Sequence, residues 1–242
     1  MSLVRPLQPM LAALADLVYP THCAGCGLRQ PAGRWLCDPC GAAVKRIYGP
    51  RCPICSRPFE GAMDHFTCPS CRGEALHLEC AVAVVRSTGL ARELIHRFKY
   101  GREFYLRRVL GDWLVEGFAD ERLEDLEDLR LVPVPLHPVR QRERRFNQSE
   151  ALADWAGKRV GIRVERPLVR RRHTITQTHF DRKQRMRNLR DAFALRQNAA
   201  VKDKSFLLVD DVLTTGSTLD ECARVLLEGG AHSVRAITVA RG

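Results

Sequence analysis

The sequence predicts an α/β fold with a mostly parallel sheet, preceded by a small cysteine-rich module. From residue 80 onward, short apolar runs alternate with amphipathic helical patterns, which is typical of a parallel sheet flanked by helices. Before residue 80, eight of the ten cysteines form C-x-x-C pairs and apolar residues are sparse. With 242 residues, 45% of them hydrophobic, the chain is long enough to bury a substantial core.

Residues 1–20 predict an N-terminal amphipathic helix. Five apolar residues recur there at helical spacing: Leu7, Met10, Leu11, Leu14 and Val18. The stretch also has features of a signal peptide, because Arg5 precedes a short apolar run and Ala13 begins an A-x-A sequence. The run is too short and interrupted to span a bilayer, so we favour a helix packed on the protein. No other segment has a transmembrane pattern, and we expect a soluble, cytoplasmic protein.

Residues 21–79 predict a double zinc ribbon. Eight cysteines form four pairs: Cys23/Cys26, Cys37/Cys40, Cys52/Cys55 and Cys68/Cys71. A C-x-x-C turn directs two thiolates at one ion, and two such turns complete the tetrahedral site of structural zinc. The simplest pairing is sequential, with the first four cysteines on one zinc ion and the last four on another, but the spacing also permits a cross-braced pairing. A disulfide framework is the weaker alternative, because disulfides belong mainly to secreted domains.

The spacing of the cysteines does not determine what the ribbons do. So short a module buries little apolar surface, and we expect metal binding to supply much of its folding free energy. His22, His65 and His77 lie near the pairs. Because four thiolates already complete each proposed site, we expect these histidines on the exposed surface. A double ribbon can contact nucleic acid or protein, or brace the neighbouring domain.

Residues 80–242 predict the α/β domain. Strands are predicted over 80–85, 131–136, 192–195, 205–210 and 233–240. Two helical patterns follow the first strand, and the second of them, over 105–117, places its apolar residues on one face. A further helix is predicted over 148–159. Each of these amphipathic helices is expected to pack on the sheet.

The final helix follows the strand over 205–210. Thr218 and Glu221 have capping-box spacing, which predicts a helix start near Ser217 or Thr218. Gly229 and Gly230 are expected to end the helix. Cys222 belongs to its repeating apolar face, and we interpret this cysteine as a small core residue with no chemical role.

The stretch FLLVDDVLTTGSTLD, residues 206–220, predicts a phosphate site at the end of a strand. Its four apolar residues do not alternate with polar ones, which predicts a central strand covered on both faces. Asp210 and Asp211 therefore lie at the carboxyl end of a parallel strand, where open α/β sheets bind ligands. A turn of hydroxyls and one glycine follows: Thr214, Thr215, Gly216, Ser217 and Thr218.

Such a turn offers backbone N–H groups and the positive end of a helix dipole to a phosphate. Together with two carboxylates it suits a ribose 5-phosphate. The alternative is an ordinary capped turn with solvent-exposed aspartates. The chain contains no G-x-x-x-x-G-K-[ST] sequence, which excludes a P-loop.

VDDVLTTGST resembles the phosphoribosyl pyrophosphate (PRPP) signature of type I phosphoribosyltransferases. With the four C-x-x-C pairs and PVPLHPVRQRERRFNQS at 133–149, nearly the whole chain resembles the ComF family of competence-associated proteins. The resemblance implies a sheet of the type I phosphoribosyltransferase kind behind a double zinc ribbon. It implies that Asp210 and Asp211 bind the ribose hydroxyls with magnesium, and that Thr214 to Thr218 bind the 5-phosphate. It also implies a reaction without a side-chain nucleophile.

The resemblance assigns two further groups of residues. Candidates for pyrophosphate binding are Lys99, Arg140, Arg142, Arg144 and Arg145, and we expect only one or two of the arginines to contact ligand. Residues 170–193 correspond to a flexible hood, in which Gln177, Arg187 and Asn188 match the residue types of the family. His179 and Phe180 depart from its pattern.

Two functions are compatible with the sequence. The first is a phosphoribosyltransferase that acts on an unidentified acceptor and is linked to DNA uptake and natural competence. The second is a non-enzymatic protein of the DNA-uptake machinery that binds PRPP and single-stranded DNA. A net charge of +11 indicates an anionic partner, although the arginines can instead serve pyrophosphate and the hood alone. With 7% aromatic residues, a base-stacking platform is not evident.

Overall fold

The computed structural model describes residues 21–59, 61, 66–124, 128–172, 184 and 188–242, and the helix predicted over 1–20 lies outside them. In chain order, the described helices and strands are α1 (Asp38–Ala43), β1 (Ala81–Arg86), α2 (Gly89–Tyr100), α3 (Arg107–Glu116), β2 (Arg130–Pro133), α4 (Pro138–Arg144), α5 (Gln148–Val160), β3 (Leu168–Arg170), β4 (Phe193–Leu195), β5 (Ser205–Leu213), α6 (Ser217–Glu228) and β6 (Ser233–Arg241). Short 3-10 turns cover Phe104–Leu106, Gly117–Ala119 and Glu121–Leu123.

The central sheet has four strands, all parallel, in the order β1-β6-β5-β2. Val82 in β1 lies opposite Ile237 in β6, and Leu208 in β5 lies opposite Ala236 in β6. Strands β3 and β4 form a separate antiparallel pair. The predicted α/β fold with a mostly parallel sheet is therefore confirmed.

Strand β5 is covered on both faces, as predicted. Phe206 and Leu208 belong to one buried apolar cluster, whereas Leu207 and Val209 belong to the cluster on the other face of the sheet. The strand continues to Leu213, beyond its predicted end at residue 210. Asp211, which follows the predicted strand, therefore lies inside the strand together with Asp210.

Helices α3 and α5 cover one face of the sheet, and α6 covers the other. A Cβ at Gly111 of α3 would lie 2.3 Å from Cδ1 of Trp155 in α5, so glycine permits the close approach of these helices. Cys222 in α6 is fully buried, which confirms its predicted place in the core. The helices predicted over 105–117 and 148–159 correspond to α3 and α5, but α4 was not predicted. No helix in the described part of the chain has the length and apolar character that a membrane span requires.

The first ribbon, residues 23–40 (ribbon 1), contacts α2 and α3. Arg97 of α2 donates from Nη1 to the carbonyl oxygen of Ala24 at 2.7 Å. Arg46, just after the ribbon, donates to the carbonyl oxygen of Gly41 and pairs with Glu116 of α3 at 2.8 Å. Ribbon 1 is thus attached to the helices on one face of the sheet.

The second ribbon, residues 52–71 (ribbon 2), lies against β1 and the opposite face. The N–H of Ala81 donates to the carbonyl oxygen of Ile54 at 2.7 Å, and Ser56 Oγ donates to the carbonyl oxygen of Ala81 at 2.8 Å. The four cysteines of ribbon 2 belong to the same buried cluster as Phe206 and Leu219. The expectation that the ribbons bury little apolar surface is therefore wrong for ribbon 2.

Candidate functional site

A cleft of about 420 Å³ opens at the carboxyl ends of β2 and β5. Its lining includes both aspartates of β5 and residues of the following turn: Asp210, Asp211, Thr214, Thr215 and Thr218. Helix α2 contributes Lys99, and the segment after β2 contributes Val134 and Leu136. This is the edge of a parallel sheet at which open α/β folds bind their ligands.

The two aspartates have different neighbours. Asp210 Oδ1 accepts hydrogen bonds from Ser149 Oγ at 2.8 Å and from the N–H of Asp211 at 2.9 Å. Asp211 Oδ1 lies 2.9 Å from Nζ of Lys99. Burial and the adjacent Asp211 carboxylate raise the pKa of Asp210 to about 6, although the Ser149 hydrogen bond opposes this rise. Burial by itself would lower the pKa of Lys99, but the Asp211 carboxylate raises it.

Residues 214–218, the phosphate turn, connect β5 to α6. Gly216 has a φ of +80°, a left-handed conformation that glycine adopts without strain. Thr215 Oγ1 lies 3.0 Å from Ser217 Oγ, which gives the turn two adjoining hydroxyls. The first N–H groups of α6 have no partner within the helix and carry the positive end of its dipole. The turn therefore has the donors and the local charge that a phosphate requires.

The capping box predicted from Thr218 and Glu221 is wrong. Helix α6 begins where predicted, but its N-cap is Gly216, which makes no side-chain capping contact. Glu221 instead accepts the N–H of Asp191 at 2.8 Å and pairs with Arg224 at 2.7 Å. Because the Glu221 carboxylate is engaged by Asp191 and Arg224, it does not cap the N-terminus of α6.

Among the described residues, five lysine and arginine side chains line the cleft: Arg92, Lys99, Arg140, Arg144 and Arg170. Arg140 and Arg144 lie four residues apart in α4 and so share one helix face. Arg142 and Arg145 are exposed and do not line the cleft, and Arg145 ends α4 in a left-handed conformation with a φ of 68°. The structure thus brings two of the four candidate arginines to the cleft.

Arg170, Asn188 and Leu189 are the described parts of the predicted hood that line the cleft. The guanidinium of Arg170, at the end of β3, lies 5.3 Å from the ring centroid of Phe193 in β4. Burial lowers the pKa of Arg170, but an arginine remains charged at neutral pH. Gln177 and Arg187 lie outside the described residues, as do His179 and Phe180.

Sequence reasoning missed two residues that hold the acidic pair in place. Asn147 Oδ1 accepts the N–H of Ser149 at 3.1 Å and thereby caps α5. Its Nδ2 donates to the carbonyl oxygen of Val134 at 3.0 Å, which ties the start of α5 to the end of β2. Ser149 then reaches Asp210. The signal for Asn147 was an asparagine directly before a helical pattern.

The structure brings the cysteines together in two groups of four: Cys23, Cys26, Cys37 and Cys40 form centre 1, and Cys52, Cys55, Cys68 and Cys71 form centre 2. In each group the Sγ atoms lie within 4.8 Å of one another. The Sγ atoms of Cys23 and Cys37 lie 3.5 Å apart, and those of Cys55 and Cys68 lie 3.6 Å apart. These distances are close to the S–S separation of about 3.8 Å in a tetrahedral site with Zn–S bonds of about 2.3 Å. The pairing is sequential, and both donor sets fit a structural zinc ion.

The two centres differ in exposure. Cys26 of centre 1 is exposed and Cys40 is half-buried, whereas all four cysteines of centre 2 are buried. His22 and His77 are exposed, as predicted, and His65 lies outside the described residues. Centre 2 is therefore part of the core, and centre 1 is open to solvent at one thiolate.

A set of stacked side chains, the aromatic edge (Tyr100, Phe104, Arg107 and Arg144), adjoins the cleft. Tyr100 is 58% exposed and Phe104 is 43% exposed. The guanidinium of Arg144 lies 4.9 Å from the Tyr100 ring centroid, and that of Arg107 lies 4.1 Å from the Phe104 ring centroid. The aromatic content of 7% over the whole chain gave no indication of this local cluster of exposed aromatic rings.

Comparisons with known proteins agree with this architecture. Residues 14–72 match the double zinc ribbon domain family, and residues 150–242 match the phosphoribosyl transferase domain family. The first match contains all eight cysteines of the two groups, and the second contains the acidic pair and the phosphate turn.

Three relatives span most of the chain. Competence protein F of Haemophilus influenzae is 30% identical over 228 residues, which cover 91% of this chain and 95% of that protein. DNA utilization protein YhgH of Escherichia coli K12 is 32% identical, with 90% of this chain and 96% of that protein covered. Competence protein ComFC of Bacillus subtilis is 28% identical, with coverage of 85% and 84%. The chain therefore belongs to the ComF family, which includes these relatives and combines a double zinc ribbon with a phosphoribosyltransferase domain.

Proposed function

We propose that the cleft binds PRPP together with magnesium. The observation that carries the proposal is the placement of two adjacent carboxylates, Asp210 and Asp211, beside the phosphate turn within one cleft. The carboxylates accept hydrogen bonds from the ribose hydroxyls, and the N–H and hydroxyl groups of residues 214–218 hold the 5-phosphate. The match of residues 150–242 to the phosphoribosyl transferase domain family supports this assignment.

The basic side chains of the cleft hold the pyrophosphate in this proposal. Arg140, Arg144 and Arg170 offer planar guanidinium groups, which match pairs of phosphate oxygens. Lys99 neutralises Asp211, so the acidic pair repels an anionic ligand less. Carboxylate, hydroxyl and phosphate oxygens are ligands that magnesium prefers, and the ion would supply neutralisation of the pyrophosphate charge when bound.

We further propose that the bound sugar is transferred. Transfer breaks the bond between the anomeric carbon and pyrophosphate, which leaves with the bonding electron pair, and the acceptor forms the new bond to that carbon. Positive charge develops on the sugar while the cationic side chains stabilise the departing pyrophosphate. The cleft holds the sugar in place for the acceptor, so no side-chain nucleophile is required. The names Competence protein F and DNA utilization protein of the relatives support a link to DNA uptake.

The second candidate is a protein of DNA uptake that binds PRPP and single-stranded DNA without turnover. The aromatic edge favours it, because Tyr100 and Phe104 are exposed and each stacks with an arginine. Bases stack on exposed aromatic rings while arginines neutralise the phosphates of a single strand. A net charge of +11 favours the same class of partner.

Calorimetric titration with PRPP, with and without magnesium, tests the site. The Asp210→Asn and Asp211→Asn variants keep the side-chain size, and each is expected to lower the affinity by at least about tenfold because a charged hydrogen-bond acceptor is lost. Asp203→Asn is the matched control, since Asp203 is exposed and its φ of 59° is one that asparagine tolerates. Unchanged affinity for PRPP in both site variants would refute the assignment of Asp210 and Asp211 to the binding site.

Release of pyrophosphate separates the two candidate functions. The protein is incubated with magnesium, PRPP and a panel of bases and amines, and the Asp211→Asn variant is the control. Acceptor-dependent release that this variant loses establishes an enzyme. Intact PRPP binding without release, together with DNA binding that weakens steeply as salt rises, establishes the second candidate.

A further inference from the structure

Arg241 lies between centre 2 and the phosphate turn. This residue of β6 is 6% exposed, and its Nη2 lies 3.9 Å from Sγ of Cys55. Its Nη1 donates to the carbonyl oxygen of Leu213 at 2.9 Å, and Leu213 immediately precedes Thr214. The partners that the structure shows for this guanidinium are the Cys55 sulfur, the carbonyl oxygen of Leu213 and an oxygen of Gly242.

The charge of Arg241 suits a metal-loaded centre 2. One zinc ion and four thiolates together carry a net charge of about −2. A buried guanidinium is costly without a counter-charge, so the thiolate cluster stabilises it. The planar fork of arginine donates to Leu213 and faces Cys55 at the same time. Loading of centre 2 therefore fixes Arg241, and Arg241 in turn fixes the residue before the turn.

A second link lies on the other side of the turn. Asp220, in the first turns of α6, is 3% exposed. Its Oδ1 accepts the N–H of His77 at 2.7 Å and that of Leu78 at 3.3 Å, and its Oδ2 lies 3.1 Å from Nδ1 of His77. His77 and Leu78 follow Cys71, the last ligand of centre 2. The segment that leaves ribbon 2 is thus attached to the helix whose N-terminus forms the turn.

We propose that Arg241 is a positioning residue through which zinc at centre 2 and PRPP at the phosphate turn stabilise each other's binding. The inference rests on the proposed PRPP site. Linkage is reciprocal, so a metal centre that favours the phosphate-binding conformation is itself held more tightly when phosphate is bound. Ribbon 1 contacts α2 and α3 rather than the turn, and zinc at centre 1 is the internal reference.

Hydrogen exchange tests the positioning role without PRPP. Arg241→Met keeps the side-chain length but removes the charge and the donors, and in the zinc-loaded variant amide exchange over 210–218 is expected to rise about tenfold. Arg241→Lys keeps the charge without the planar fork, and an intermediate rise is expected. The matched control is Arg46→Met, which removes the ion pair with Glu116 beside ribbon 1 and is expected to leave exchange over 210–218 unchanged. Unchanged exchange in both Arg241 variants overturns the positioning role.

Release of zinc to a zinc-selective chromogenic chelator tests the linkage in the wild-type protein. Cys26→Ser, which removes a ligand of centre 1, identifies the release phase of each centre. PRPP with magnesium is expected to slow release from centre 2 by about tenfold and to leave release from centre 1 unchanged, and Arg241→Met is expected to abolish this effect. Equal release from centre 2 with and without PRPP, in protein that binds PRPP by calorimetry, overturns the linkage. Absence of any PRPP binding by calorimetry overturns the proposed function instead, and the exchange experiment still tests Arg241.

Discussion

Replacing Ser149 by alanine is expected to weaken PRPP binding in mild acid much more than in base. Ser149 Oγ donates to Asp210 Oδ1 at 2.8 Å. Burial and Asp211 raise the pKa of Asp210 to about 6, and the Ser149 hydrogen bond opposes the rise. Without that hydrogen bond the pKa rises further, so at a given pH a smaller fraction of Asp210 is ionised. Magnesium and the ribose hydroxyls require the ionised form.

The magnitude follows from the strength of this hydrogen bond. A hydrogen bond to a charged acceptor contributes about 1.5 kcal/mol, which changes an ionisation equilibrium about tenfold. Near pH 6, wild-type Asp210 is about half ionised, so a tenfold change lowers the ionised fraction about fivefold. At about pH 8.5 Asp210 is almost fully ionised in both proteins, and their Kd values are expected to agree.

Calorimetric titration of PRPP at the two pH values is the assay. Because the ionisation of PRPP affects both proteins equally at a given pH, it cancels in the ratio of the variant Kd to the wild-type Kd. Ser205→Ala is the matched control, since Ser205 contacts Ser233 at the opposite end of β5 from Asp210. A ratio that is the same at both pH values, or no loss of affinity near pH 6, would refute the role assigned to Ser149.

Four further variants or treatments have distinct expected outcomes. By calorimetry, Arg144→Gln is expected to weaken PRPP binding about tenfold, whereas Arg142→Gln is expected to leave it unchanged. Equal effects of the two variants would contradict the placement of Arg144, but not Arg142, in the cleft. Gly216→Ala places a Cβ at a φ of +80°, and urea denaturation is expected to show a loss of about 1 kcal/mol in the free energy of unfolding, whereas no loss would exclude strain at this turn. Tyr100→Ala is expected to weaken single-stranded DNA binding by about 1 to 3 kcal/mol in fluorescence anisotropy, and unchanged binding would remove the aromatic edge from the DNA site. A chelator is expected to remove zinc from centre 1, where Cys26 is exposed, before centre 2, and the reverse order of release would contradict the difference in burial.

The acidic pair and the phosphate turn were predictable because their signal is contiguous. Strand β5 with its two aspartates, the turn and the start of α6 follow one another along the chain, so local pattern alone indicated their arrangement. The zinc centres were predictable for the same reason, since each C-x-x-C pair is a local turn. Only the question of which two C-x-x-C turns share one ion required the structure.

The supporting residues were not predictable, because they act across long separations in the chain. Ser149 reaches Asp210 over 61 positions, and Arg241 reaches Cys55 over 186 positions. Helix α4 lacks an apolar face, so its existence and the spacing that puts Arg140 and Arg144 together had no periodic signal. The capping box failed because Asp191 competes for the same carboxylate.

The strand order has a consequence for folding during synthesis. Strand β6 lies between β1 and β5, although it is the last described strand in the chain. Until residues 233–241 leave the ribosome, β1 has no neighbour in the sheet and presents unpaired N–H and C=O groups, which invite pairing with other chains. Ribbon 2 is synthesised before β1, and Ile54 already accepts the N–H of Ala81. A zinc-loaded ribbon 2 can therefore shield the edge of β1 that faces away from β6, whereas the edge that pairs with β6 stays open until the last described strand is made.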